Sequence, residues 1–126
     1  MKKVTGLGGI FFKSNNPQKT REWYKTHLGI ESESWGAQFN WRDKDNPEII
    51  GYSVWSPFKN DTTYFEPSVK EFMINYRVDN LVDLLAELKK EGINQIGEMV
   101  EDEFGKFAWI MDPDDNKLEL WEPPKL

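Results

Sequence analysis

The chain contains no cysteine and a single histidine, His27. That removes disulfides, thiolate metal sites and cysteine nucleophiles together. It also contains no apolar run near the ~20 residues that a spanning helix needs. Met1, Lys2 and Lys3 precede a short apolar patch, but the patch is rich in glycine and ends at Lys13 without a cleavage site, so a secretory leader is not expected. Basic residues are in deficit. Lys and Arg total 16 against 22 Asp and Glu, a formal charge of −6 over 126 residues, which argues against nucleic acid or an anionic membrane as partner. Serine-nucleophile and phosphate-loop signatures are missing as well: Gly6–Gly9 opens a strand and lacks the following helix that a phosphate loop requires. One small cytoplasmic domain, or two very small halves sharing a core, is the expectation.

What the chain has in excess is aromatic side chains, six Trp and eight Phe among them. In such number they must line a core, an interface or an apolar pocket. The pattern around them begins with a strand, Gly6 to Lys13. Asn15, Asn16 and Pro17 then cap and start a helix whose Thr20, Trp23, Tyr24, His27 and Leu28 share one face, and Gly29 ends it. Strands are expected at Ile30–Ser34, Ala37–Arg42 and Glu48–Trp55. Ser56 to Lys70, with prolines and Phe58, Tyr64 and Phe65, reads as a linker that its aromatics keep ordered.

After the linker the pattern restarts. Glu71–Val78 is a predicted strand, Asp79 and Asn80 cap a helix with a Leu81, Leu84, Leu85, Leu88 stripe, and Gly92 ends it. Strands follow at Ile93–Val100, Gly105–Met111 and Lys117–Glu122. Ile10, Phe12, Lys13, Asn16, Gly29 and Ile30 correspond to Ile74, Tyr76, Arg77, Asn80, Gly92 and Ile93, an internal repeat of β-α-β-β-β units. The fold class is therefore α+β: residues 1–56 form one module, 57–70 a linker and 71–126 the second, with cupped sheets and helices outside.

The last hairpin holds the most conspicuous carboxylate. Phe107 to Met111 form a strand, Asp112 to Asn116 supply turn chemistry, and Glu119 projects from the middle of the next strand between apolar residues. Burying a carboxylate costs several kcal/mol unless something cationic or hydrogen-bonding meets it. Glu119 could sit in a salt bridge, face solvent on an edge, ligate a metal or act as a general base.

The segments WYKTHLGI (Trp23–Ile30), YRVDNLVDLLAELKKEGI (Tyr76–Ile93) and FAWIMDPDDNKLELWEP (Phe107–Pro123) resemble the vicinal oxygen chelate superfamily, which includes glyoxalases, bleomycin-resistance proteins and ring-cleaving dioxygenases. The resemblance implies paired βαβββ modules around a cup, a homodimer, and in the family's enzymes a divalent metal held by His, Glu or Gln from the first and last strands. It carries the ligand positions to Gly9, Met73, the neighbourhood of Tyr52 or Ser53, and Glu119. Only Glu119 suits a metal ion, so no metal and no other cofactor is expected. Strand alternation turns Gly9, Phe11, Lys13, Met73, Asn75, Arg77, Lys117, Glu119 and Trp121 toward the cup, with Lys13 or Arg77 as partners for Glu119. His27 is read as a helix-end residue, and Trp41, Trp55 and Trp109 as core or rim packing. Asp102 and Glu103 are read as a solvated loop. Two functions follow: a metal-free protein that binds a small amphipathic molecule, or a glyoxalase-type lyase or related enzyme with substitute metal ligands or with Glu119 as base.

Overall fold

The computed structural model describes residues 3–125; Met1 and Lys2, part of the charged start, lie outside the described residues. The elements run β1 (Val4–Ser14), α1 (Pro17–Leu28), β2 (Ala37–Arg42), β3 (Ile50–Lys59), β4 (Phe72–Val78), α2 (Leu81–Lys90), β5 (Val100–Asp102), β6 (Gly105–Met111) and β7 (Lys117–Glu122). They form an α+β fold with one mixed sheet in the order β2-β3-β1-β4-β7-β6-β5. In each half the first and last strands pair in parallel, β1 with β3 and β4 with β7. The halves join at the centre, where β1 and β4 run antiparallel, so the two modules pair within one chain.

Two of the expected strands are not strands. Ile30–Ser34 gives only an isolated bridge between Glu33 and Gly36, because Ser34 and Trp35 turn the chain back before a ladder can form. The Ile93–Val100 stretch yields β5 only from Val100 onward. Gly97 there has a positive φ of 68°, a conformation outside the extended region that a strand needs. β3 continues through Ser56, Pro57 and Phe58 to Lys59, and the aromatic linker begins after it.

Both helices start as their sequences dictate. The Asn16 side chain accepts from Lys19 N and that of Asn80 from Asp83 N, each at 3.1 Å, which satisfies an otherwise orphaned amide. Gly29 closes α1 in the left-handed region at φ 71°. Their packing differs. α2 sinks Leu81 and Leu84 into a cluster with Val78, Ala108, Ile110 and Leu120, each buried leucine worth ~1.5–3 kcal/mol. α1 has no buried residue. Trp23 and Leu28, expected against the sheet, are 53% and 61% exposed; Tyr24 alone of that stripe meets a sheet aromatic, Trp55, at 4.9 Å between ring centroids. No helix among the described residues is long and apolar enough to cross a membrane.

The sheet face away from the helices is the cup. Cross-strand pairing sets Glu119 between Asn75 on β4 and Trp109 on β6. The linker folds back over one end of this face: Tyr64 and Phe65 stack against Phe58 at 5.8 and 5.3 Å, and Phe65 is 1% exposed.

Candidate functional site

Glu119 is 2% exposed and no Lys or Arg holds it in an ion pair among the described residues. Its hydrogen-bond donors are neutral. Asn75 Nδ2 donates to Oε1 at 2.6 Å, Trp109 Nε1 donates to Oε2 at 2.9 Å, and the Tyr64 hydroxyl also donates to Oε2. Bonds to a charged acceptor are worth about 1.5–3 kcal/mol each, enough together to offset the burial of a carboxylate. Tyr64 titrates well above the ordinary phenol range, first because it is buried and second because the Glu119 charge stands beside it.

This corrects the expected partners of Glu119. Lys13 lies past the end of the cup, in a hollow beside Asn16 and Trp23. Arg77 is drawn to the other end, with Nη1 donating to Thr5 Oγ1 at 3.1 Å and its guanidinium 5.7 Å from the Trp41 ring centre. The nearest cation on the cup face is Lys117. Its Nζ lies 5.5 Å from the Tyr64 ring centre and 5.7 Å from that of Trp109, and donates to the Tyr64 carbonyl at 2.7 Å. Burial lowers its pKa, and the Glu119 charge raises it in part.

Beside Glu119 the cup holds a cavity of about 310 Å³, at the small end of the roughly 300–1,000 Å³ usual for ligand sites. Of the residues expected to face the cup, Phe11, Asn75, Glu119 and Trp121 line this cavity; Gly9, Lys13, Met73, Arg77 and Lys117 do not. Met73 is fully buried and pairs across the sheet with Phe11, next to the end that the linker covers. Gly8 rather than Gly9 forms the wall, because the β1–β4 register slips between Leu7 and Gly9. Strict alternation along β1 misses such a bulge.

Five wall residues lay outside the sequence reading of the site or were weighed only in another role: Trp35, Tyr52, Val54, Phe104 and Phe107. Trp35 and Phe104 are 50% and 60% exposed and form the mouth. Phe104 sits in the β5–β6 turn, fixed by its N–H to Asp102 Oδ1 at 2.8 Å and by Trp121 Nε1 donating to its carbonyl at 2.8 Å. Asp102 thus shapes the turn that presents Phe104. A large aromatic directly before Gly105 in a tight hairpin was the available signal. Trp109, read as packing, is a donor to Glu119. His27 stacks beside Trp23 at 4.9 Å in the last turn of α1, away from the cup.

The donor set does not fit a divalent metal ion. Gly9 offers no atom, Met73 offers a buried thioether, and both oxygens of Glu119 already accept from protein donors. No cluster of three or more His, Asp or Glu that could hold a metal occurs among the described residues.

No family model matches the chain, and no curated protein matches it by sequence. Solved structures do match. Methylmalonyl-CoA epimerase from Streptomyces coelicolor, a single-substitution variant in complex with 2-nitronate-propionyl-CoA, is 16% identical with a TM-score of 0.69, over 97% of this chain and 99% of the other. Methylmalonyl-CoA epimerase from Mycobacterium tuberculosis is 18% identical with a TM-score of 0.63, over 99% and 92%. A catechol 2,3-dioxygenase is 22% identical with a TM-score of 0.58; all of this chain covers 41% of it. These likenesses show that the chain shares its fold with methylmalonyl-CoA epimerases and a catechol 2,3-dioxygenase.

Proposed function

We propose that this protein binds a small amphipathic molecule in the cup, without a divalent metal ion. The observation that carries the reading is the pairing of an aromatic-walled cavity with a carboxylate, Glu119, whose oxygens are engaged by Tyr64, Trp109 and Asn75. A site of mostly apolar walls with one or two placed polar groups gains affinity from burial and orientation from the polar groups. The same donors take three of the roughly four lone-pair sites that a carboxylate could offer to a metal ion. The proposal includes a small-molecule partner, no nucleic acid or membrane partner, a cytoplasmic location and a homodimer, whose mass light scattering would read directly.

The test uses 2-naphthol, a neutral amphipathic probe, followed by the fluorescence of Trp35 and Trp121 in the cavity wall. One-to-one saturable quenching is expected, and filling the cavity with Val54→Trp should abolish it. Quenching that survives Val54→Trp, or none in the unaltered protein, ends the reading. In parallel, calorimetric titration with Mn, Zn, Ni and Fe should show no stoichiometric binding. One-to-one metal binding lost in Glu119→Gln would turn the site into a metal centre.

A further inference from the structure

Three polar groups around the cup, the Asn75 amide, the Tyr64 hydroxyl and the Trp109 N–H, turn their donors toward Glu119. A carboxylate only accepts, so the Asn75 amide must present Nδ2 to Oε1, at 2.6 Å. Its carbonyl end is then forced to the opposite side. There Oδ1 is buried and finds no hydrogen-bond donor among the described residues. Gly8 makes this arrangement possible: a Cβ at position 8 would stand 1.9 Å from Asn75 Oδ1. The Tyr64 hydroxyl and the Trp109 N–H likewise point to Oε2.

What remains at the cavity is negative. Its wall holds the Glu119 carboxylate, the Tyr52 hydroxyl and six aromatic side chains whose ring faces carry the negative lobe of the aromatic quadrupole. Six of the ten lining residues are aromatic, and none is Lys, Arg or His. Lys117 stands outside the lining: it packs against the rings of Tyr64 and Trp109, donates to the Tyr64 carbonyl and feels the Glu119 charge from there. A neutral apolar molecule would use the rings alone. A cation would use the rings and the Glu119 charge together, and its positive head would need no hydrogen-bond acceptor left free on Glu119.

Resting on the ligand-cup reading above, we infer that the cup selects a compact organic cation, a quaternary or protonated amine carried on an apolar body. The exposed aromatics Trp35 and Phe104 at the mouth suit the same ligand, since cations bind over ring faces.

The experiment compares three probes that share a phenol body and a tetrahedral head: (4-hydroxyphenyl)trimethylammonium, 4-tert-butylphenol and 4-hydroxybenzenesulfonate. Shape is held while head charge runs from positive through neutral to negative. Calorimetry on the full chain should show the ammonium binding about tenfold or more tighter than the tert-butyl compound, and the sulfonate not binding. In Glu119→Gln the ammonium should lose most of that preference while the tert-butyl affinity changes by about twofold or less. The comparison on the unaltered protein stands even if that variant does not fold. Equal or tighter binding of the tert-butyl compound, or tightest binding of the sulfonate, overturns the inference and leaves the ligand cup intact. Failure of all three to bind overturns the cup reading and this inference with it.

Discussion

The two halves of the molecule repeat one pattern and use it differently. In the second half, α2 is locked to its sheet by Leu81 and Leu84, both nearly inaccessible, and its first turn is tied to β7 because the Leu81 N–H donates to Glu122 Oε1 at 2.8 Å. That acceptor also places negative charge at the positive end of the helix dipole. The first half has the same asparagine N-cap and the same helix position, yet α1 buries nothing completely. The core cluster of buried residues is drawn entirely from Val78 onward. One half therefore holds the structure together and carries Glu119. The other supplies what a cavity needs: a bulged glycine strand, Tyr52 and Val54 on β3, and a tryptophan at the mouth.

This contrast is broken most directly by removing equivalent apolar side chains. Leu84→Ala should cost about 2–5 kcal/mol, the range for a buried leucine that leaves a cavity. Leu28→Ala, at a position 61% exposed, should stay within about 0.5 kcal/mol. Urea denaturation of both variants reads the difference. Comparable losses would mean that α1 is buried in solution, as an interface of the proposed homodimer would require.

The second comparison is between the two ends of the cup, one open and one covered by the linker. Tyr64 joins them, since its hydroxyl reaches Glu119 while its ring packs on Phe58. Tyr64→Phe keeps the ring and deletes the donor. Loss of a hydrogen bond to a charged acceptor predicts about 1.5–3 kcal/mol. The variant should also flatten the alkaline limb of stability. The folded-state pKa of Tyr64 is raised, so the native protein holds this proton above pH ~10 where the unfolded chain releases it. That contribution is fully present below the ordinary phenol value and is lost as pH rises through the folded one. A wild-type alkaline limb identical to that of Tyr64→Phe would show that the phenol is not held against the carboxylate.

Much of this was legible in the chain, and the boundaries of legibility are physical. Caps, leucine stripe and repeat are local signals, and they place both helices, the linker and the β6–β7 hairpin. Glu119 stood out in the chain because a carboxylate alternates with leucines on β7, a pattern that fits a buried position as well as an edge facing solvent. Its partners did not. Tyr64 lies 55 residues away in a linker, and nothing periodic tells where a linker folds. Lys13 and Arg77 were assigned to Glu119 by strand parity, which fails across the β1 bulge and says nothing of how far a long side chain travels toward Trp41 or solvent. The two missing strands failed for a related reason. Short apolar runs such as Ile93–Val100 carry strand propensity, but a single left-handed glycine ends the ladder.

The finest comparison is between the two hairpin turns that the repeat places in corresponding positions. After β2, Asp43 Oδ1 accepts from the N–H groups of Asp45 and Asn46, at 2.8 and 3.0 Å. After β6, Asp112 Oδ1 accepts from Asp114 N and Asn116 N, both at 2.9 Å, and Oδ2 accepts from Asn116 Nδ2 at 2.9 Å. These bonds favour the charged form. The Asn116 side chain above all, then its backbone N–H, holds the Asp112 pKa below the ordinary carboxylate value. A carboxylate with a depressed folded-state pKa stabilises the native protein at pH values above its unfolded pKa of about 4, and that contribution disappears as pH falls through the folded value. Asp112→Asn retains an acceptor for the turn amides but cannot titrate. Stability measured by urea denaturation from pH 6 down to 2 should therefore fall less steeply in Asp112→Asn than in the unaltered chain, and the two curves should converge at the acid end. Parallel curves would show that the turn is held by its backbone geometry and not by the charge on Asp112. The effect should be the smallest of the three, because this turn is open to water and solvent screens its charge.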